Sequence, residues 1–141
     1  MRYLARREYS RKELMRKLMA QSFSVTVIES VLDDLADRGL QSDRRYAECY
    51  VRSRIGKGYG YLRLVEELKQ RGIGQDEIPD LSEIDWNQSI TRVYTRKYGN
   101  LPPLTPAERA SRERFLRMRG FSSDEIRRLF RSLPSSEETN D

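Results

Sequence analysis

The stretch GKGYGY, residues 56–61, places three glycines and a lysine within six positions, a composition typical of loops that close around phosphate. A Walker A loop has the pattern G-x-x-x-x-G-K-[ST] and joins a strand to a helix. Here Val51 stands at the first position, and Gly58 follows Lys57 where a serine or threonine would hold magnesium. The residues that precede the stretch have a helical pattern. The sequence therefore does not predict a Walker A site.

The same glycines also fail the dinucleotide-binding pattern G-x-G-x-x-G. If the pattern began at Gly56, Tyr61 would occupy the position of the third glycine, and if it began at Gly58, Arg63 would occupy that position. No strand leads into either start, although the pattern requires one. We expect a turn between two helices, in which glycine supplies backbone angles that other residues avoid. No cofactor is expected.

Catalysis would have few side chains to use. The chain contains no histidine, so the commonest metal ligand and the usual base at neutral pH are both missing. Any reaction would have to use Lys, Asp, Glu, Tyr or the single cysteine, Cys49. Cys49 lies in an apolar-periodic helix, where we expect an inert, packed thiol. We therefore expect neither a metal site nor an enzyme.

The 141 residues are 37% hydrophobic, and apolar residues recur at helical spacing along nearly the whole chain. No segment alternates as a strand would. Pro79 falls inside one predicted helix, which should be short or irregular. The predicted helices lie near residues 2–7, 10–21, 24–38, 42–56, 60–71, 74–82, 86–98, 105–119 and 122–133.

Consecutive apolar residues never exceed three, so neither a membrane span nor a signal-peptide core is expected. A single cysteine excludes an intramolecular disulfide. Together these features predict a cytoplasmic protein in a reducing compartment.

An internal repeat underlies the helical pattern. Phe23, Ile73 and Phe121 recur every 50 and 48 residues and have similarly spaced apolar neighbours, although Arg112 stands where the pattern expects leucine. A period of this size is typical of repeated helical units. The sequence predicts an all-α fold of three tandem three-helix repeats that form an elongated, curved array. The predicted boundaries are 1–39, with a short first helix, then 40–84 and 85–133, followed by a disordered acidic tail at 134–141.

Each repeat centre also resembles a helix-turn-helix, which raises the alternative of a DNA reader. Its third helix would enter the groove, yet residues 24–38 carry four acids against one base, and residues 74–82 carry three acids and no base. Carboxylates are repelled by a polyanion, so sequence-specific recognition is disfavoured.

Basic residues gather instead on the first and second helices of the repeats. Each of three clusters has a net charge of +3, and each, taken alone, fits a solvated helix face equally well. Together they suggest a surface of ordered charge that suits a large, charged partner. The clusters are Arg11, Lys12, Arg16 and Lys17 with Glu13; Arg44, Arg45, Arg52, Arg54 and Lys57 with Asp43 and Glu48; and Arg109, Arg112, Arg114, Arg117 and Arg119 with Glu108 and Glu113.

Four segments in this order and spacing resemble the RecX family, bacterial regulators of the RecA recombinase. They are LARREYSRKELMRKL, DRRYAECYVRSRIGKGYG, EELKQRGI and RMRGFSSDEIRRLF, and the resemblance covers residues 2–133. Its most specific part is the middle helix with the K-G-x-G turn at Lys57, Gly58 and Gly60. Tyr61 departs from the family pattern, which often has proline there.

The resemblance implies a function. It implies binding along the RecA–DNA filament and inhibition of strand exchange, ATP hydrolysis and co-protease activity, with no catalysis by the regulator. We expect a monomer that binds the RecA filament on single-stranded DNA and binds DNA alone weakly and without specificity. The competing hypothesis is a DNA-binding helical module that acts without a recombinase. The predicted contacts to the filament or DNA backbone, carried by position and charge, are Arg44, Arg45, Arg52, Arg54, Lys57, Tyr59, Tyr61, Arg63, Arg112, Arg117 and Arg119.

Overall fold

A computed structural model describes residues 7–134 of the chain. In that range it contains seven α-helices, one 3₁₀ helix and no strands, which confirms the all-α prediction. None of the described helices is long and apolar enough to cross a membrane. The helices are α1 (Arg11–Ala20), α2 (Val25–Asp37), α3 (Asp43–Gly56), α4 (Tyr61–Gln70), α5 (Trp86–Tyr98), α6 (Pro106–Met118) and α7 (Ser123–Ser132), with the 3₁₀ helix at Gln75–Glu77 between α4 and α5.

Two of the predicted helices need comment. The helix predicted near residues 2–7 lies outside the described residues except for Arg7, which is in a bend. The helix predicted near 74–82 is only the 3₁₀ turn Gln75–Glu77, after which Ile78 is extended with φ −77° and ψ 129°. Proline disfavours helical angles in the residue before it and has no N–H to donate, so Pro79 ends this element as expected.

Polar caps set where the helices begin. Ser10 and Glu13 form a reciprocal capping box at α1, and Ser122 and Glu125 form another at α7. Such boxes satisfy two backbone N–H groups that have no partner within the helix. At α6, Thr105 accepts from a backbone N–H in the same way, and Pro106 occupies the first turn.

The described chain divides into two compact units. The first unit comprises residues 7–52 and 66–80, and the second comprises residues 53–65 and 81–134. Helices α3 and α4 therefore contribute residues to both. The core of the first unit is a cluster of Tyr9, Leu14, Ile28, Leu32 and Leu35, formed where α1 packs against α2.

Tyr46 is buried in the first unit. Its burial raises the pKa of the hydroxyl above its ordinary value, and the nearby Glu13 carboxylate adds to the rise.

The apolar core of the second unit is formed by helices α5, α6 and α7 and the turn before α7. Helix α7 packs against both α5 and α6. Aromatic rings meet at right angles within the core, with the ring centroids of Tyr94 and Phe130 5.9 Å apart. The buried members are Ile90, Tyr94, Leu116, Phe121, Ile126, Leu129 and Phe130.

Three equivalent turns show the repeat at the level of the backbone. Ser22, Gly72 and Gly120 all have positive φ, at 67°, 79° and 102°. The residue that follows, Phe23, Ile73 or Phe121, we call the anchor of the turn, and the next helix or 3₁₀ helix begins two residues after it. Ser22 is unusual because residues other than glycine rarely adopt this conformation.

Phe23, the anchor of the first turn, packs differently from the other two anchors. Ile73 and Phe121 are buried, with 5% and 1% of their surface exposed, but Phe23 is 49% exposed. The N–H groups of Ile73 and Phe121 each donate to a carbonyl five residues earlier, in Leu68 and Leu116. The N–H of Phe23 donates no such bond within the described chain, so the first turn lacks the backbone bond that holds the other two anchors against the preceding helix. Phe23 thus occupies the same position in the repeat as Ile73 and Phe121 but is not buried as they are.

The prediction of a packed thiol at Cys49 is also wrong, because this side chain is exposed. Helix α3 buries Tyr46, Ala47 and Val51. A helix turns by about 100° per residue, so Cys49, two positions after Ala47, points to the opposite side.

Candidate binding site

The ring of Tyr59 lies at the centre of a group of guanidinium ions in the second unit. The Cζ atoms of Arg54, Arg63 and Arg119 lie 3.7, 4.6 and 4.8 Å from the ring centroid. A cation over an aromatic face is attracted by the ring's electron density. We call these four residues the Tyr59 cluster. The sequence analysis predicted all four as contacts, and the structure brings them together.

The cluster is held by backbone contacts between two turns. The N–H of Gly60 donates to the carbonyl of Arg119 at 2.7 Å, and the N–H of Leu62 donates to that of Gly120 at 3.1 Å. Two arginine side chains also join these turns. Arg63 Nη1 donates to the Met118 carbonyl at 2.9 Å, and Arg119 Nη1 donates to the Lys57 carbonyl at 3.0 Å.

Glycine is required on both sides of this contact. A Cβ on Gly60 would lie 2.7 Å from the carbonyl carbon and oxygen of Gly120, and a Cβ on Gly120 would lie 2.4 Å from the Cβ of Arg63. Any side chain would separate the turns. The glycines of GKGYGY thus form a turn between α3 and α4, as predicted, and also permit close approach to the α6–α7 turn.

A cavity of about 210 Å³ lies beside this turn in the second unit. Five of its lining residues are cationic, and none of the described residues that line it is acidic. The cations are Lys57, Arg92, Arg96, Lys97 and Arg119. We call this space the cationic cavity.

The sequence analysis missed Arg92, Arg96 and Lys97 as site residues. They lie on α5, which supplies Ile90 and Tyr94 to the core. The signal was present as R-x-x-x-R-K over residues 92–97, a spacing that places the two arginines one turn apart on the same helix face.

The predicted cations of the first unit are largely engaged by their own chain. Arg44 donates to the Asp76 carbonyl at 3.2 Å and lies 3.7 Å from the Glu77 carboxylate. Arg45 donates to Glu8 at 2.9 Å. Arg52 is exposed like these two, but no other described residue forms an ion pair with it.

Three further predicted residues of the second unit lie apart from the Tyr59 cluster. Arg112 is only 17% exposed in its side chain, and its Nη1 donates to the Tyr94 hydroxyl at 2.7 Å and the Leu101 carbonyl at 3.0 Å. Arg117 is exposed and lies 3.9 Å from the Glu113 carboxylate. Tyr61 is exposed, and its ring meets Trp86 edge-on at 6.0 Å.

Among the described residues, no group of three or more acidic or cysteine side chains is placed to hold a metal ion. What the second unit offers is exposed positive charge next to aromatic rings, an arrangement suited to binding anionic groups. Fold and site together define a helical-repeat protein with a cationic surface.

Comparison with known proteins identifies the repeats. Family models for the first, second and third three-helix domains of RecX match residues 1–35, 42–79 and 83–130. The chain belongs to the RecX family. The relatives it matches are named regulatory proteins, and the family is not a known enzyme family. The resemblance read from the sequence is thus confirmed, as is the three-helix repeat.

Relatives match over most of the chain. The regulatory protein RecX of Pseudomonas putida strain GB-1 is 46% identical, covering 89% of this chain and 83% of that protein. The Halorhodospira halophila protein of the same name is 38% identical, covering 90% of this chain and 81% of that protein. A crystal structure of regulatory protein RecX has a TM-score of 0.75 at 24% identity, covering 90% of this chain and 67% of that one, which shows a shared fold.

Proposed function

We propose that this protein binds the RecA filament on single-stranded DNA and inhibits its ATP hydrolysis, strand exchange and co-protease activity. It acts as a monomer in the cytoplasm and by binding alone, without catalysis of its own. The observation that carries this proposal is that all three RecX domains follow one another in order along the chain.

The charges of the described residues support a partner that is itself charged. The Tyr59 cluster and the exposed Lys57 and Arg52 offer cations to acidic protein surface or to DNA phosphate. Helix α2 exposes four acids, of which Asp33 and Asp34 pair with Arg11 and Arg38 of the same chain. The other two, Glu29 and Asp37, suit basic surface. Complementary charge of this kind contributes mainly to association rate and specificity.

Inhibition follows if the bound protein restrains the filament. A protein that contacts neighbouring RecA subunits opposes the motion and exchange of subunits that the active filament requires. The fraction of RecA activity that is lost should then exceed the molar ratio of this protein to RecA, because one bound molecule restrains several subunits.

The test is the ATPase rate of a RecA–single-stranded DNA filament with substoichiometric amounts of this protein added. We expect the rate to fall. No effect at saturating concentration would contradict the proposal.

A pair of variants tests the surface. Arg52→Gln with Lys57→Gln removes two exposed charges from the end of α3 and the turn that follows it, and Lys69→Gln with Arg131→Gln removes two exposed charges elsewhere. Only the first pair should weaken inhibition and its dependence on salt. If both pairs inhibit equally, this surface does not contact the filament.

A further inference from the structure

The cationic cavity is an unassigned feature of the second unit. It gathers side chains from the turn after α3, from α5 and from the end of α6, and five of them carry positive charge. We propose that this cavity is a binding site for a phosphate group. The site lies in this chain alone and does not depend on the RecA partnership proposed above.

The charges are not explained by packing or by helix ends alone. Arg96 and Lys97 lie in the last turn of α5, where the helix dipole stabilises positive charge. Arg92 lies one turn earlier and receives no such benefit. Arg92 and Arg96 are both exposed, and the described chain contributes no ion pair to either of them.

The remaining cations are positioned by other groups. The Lys97 ammonium lies 3.8 Å from the centroid of the Phe115 ring, and Arg119 is tied to the Lys57 carbonyl. Both are thus fixed at the cavity by contacts that leave their charge uncompensated by a carboxylate. Like charges held together repel one another, so an anion that enters the cavity relieves this repulsion as well as forming its own contacts.

Cavity size and donor type favour phosphate. About 210 Å³ is below the range of about 300 Å³ and more that encloses a drug-sized ligand, so the cavity accommodates a small anionic group. Guanidinium groups bind phosphate oxygens through paired N–H donors, and a lysine adds a point charge. A single carboxylate would neutralise only one of five positive charges.

The phosphate has two candidate sources, a nucleic-acid backbone or a free nucleotide. Arg119 both lines the cavity and belongs to the Tyr59 cluster, so the positive charge continues beyond the cavity to Arg54 and Arg63. A run of charge of this kind suits successive phosphates on one strand, with aromatic groups near the bases. We therefore expect the backbone of single-stranded DNA to be the better ligand.

The experiment measures binding of a fluorescent oligothymidylate of about 16 nucleotides to the full chain, without RecA. The test variant is Arg92→Gln with Arg96→Gln, and the control is Lys69→Gln with Arg131→Gln, which lowers the net charge equally. A second arm measures binding of a nucleoside triphosphate to the same proteins. Circular dichroism verifies that each variant is folded, and Lys57→Gln provides an independent test from another element.

We expect the test variant to bind the oligonucleotide about tenfold or more weakly than the control. The slope of log affinity against log salt should become shallower by about 1.4, since each lost contact to a single strand accounts for about 0.7. A specific loss in the triphosphate arm alone also supports a phosphate site and assigns it to a free nucleotide. If test and control variants match in both arms, the proposal is wrong.

Discussion

The ion-paired arginines of the first unit differ in their surroundings from the cations that line the cationic cavity of the second unit. In the first unit, Arg11 pairs with Asp33 at 2.7 Å and Arg45 pairs with Glu8 at 2.9 Å. In the second unit, the cationic cavity has no acidic residue in its described lining, and the arginines around Tyr59 are stacked on its ring. A positive residue in the sequence is therefore not the same as positive charge available to a partner.

The largest expected effect comes from breaking the backbone contact that holds the second-unit cations. Gly120→Ala places a side chain at φ 102°, with its Cβ 2.4 Å from the Cβ of Arg63. We expect the free energy of unfolding to fall by about 3 kcal/mol, measured by urea denaturation.

Gly74→Ala is the matched control, because Gly74 has φ −71° and no atom within 4 Å of an added Cβ. If the two variants had the same free energy of unfolding, the stability of the fold would not depend on the close approach of the two turns.

An intermediate effect is expected at Arg112, a second-unit cation that is already engaged. Arg112→Leu restores the residue that the repeat pattern expects but removes the bonds to the Tyr94 hydroxyl and the Leu101 carbonyl. We expect a loss of about 1 to 2 kcal/mol in unfolding free energy, with DNA and filament binding unchanged.

Arg114→Leu serves as the control, because Arg114 is exposed on the same helix. If Arg112→Leu weakened binding and left stability intact, Arg112 would belong to the binding surface, as the sequence analysis predicted.

The smallest effect is expected from the paired cations of the first unit. Arg44→Gln with Arg45→Gln removes two charges that already have acidic neighbours, so filament binding should change by less than about twofold, and stability by under about 1 kcal/mol for each pair. Titration of the filament with this variant and with Arg92→Gln/Arg96→Gln gives the comparison directly. An equal loss in both would mean that intramolecular pairing does not decide which cations bind.

Most of the fold could be predicted because it depends on local signals. Helical spacing, the caps at Ser10 and Ser122 and the break at Pro79 all act within a few residues of one another. The exposure of Phe23 could not be predicted from such signals, since the other two turns each form a backbone bond to the preceding helix and this turn does not.

The site was less predictable because it is assembled from distant segments. The Tyr59 cluster depends on Gly60 meeting Gly120, and no spacing rule connects positions sixty residues apart. The cationic cavity likewise uses α5, whose R-x-x-x-R-K spacing places two arginines on one helix face but does not show what that face meets. Charge counting found the basic helices but not which side chains the fold leaves without an acidic neighbour.

The contact between Gly60 and Arg119 also has a consequence for the order of folding. The amide of Gly60 finds its acceptor only after the chain has been synthesised past residue 119, although the helices on either side of GKGYGY can form from local contacts much earlier. Contacts between distant residues require a large loop to close and are correspondingly slow to form. The turn that carries Tyr59 should therefore acquire its native hydrogen bonds late, when α6 is complete. A chain cut short before α6 should contain Arg54, Tyr59 and Arg63 but neither Arg119 nor the backbone contact that holds the cluster.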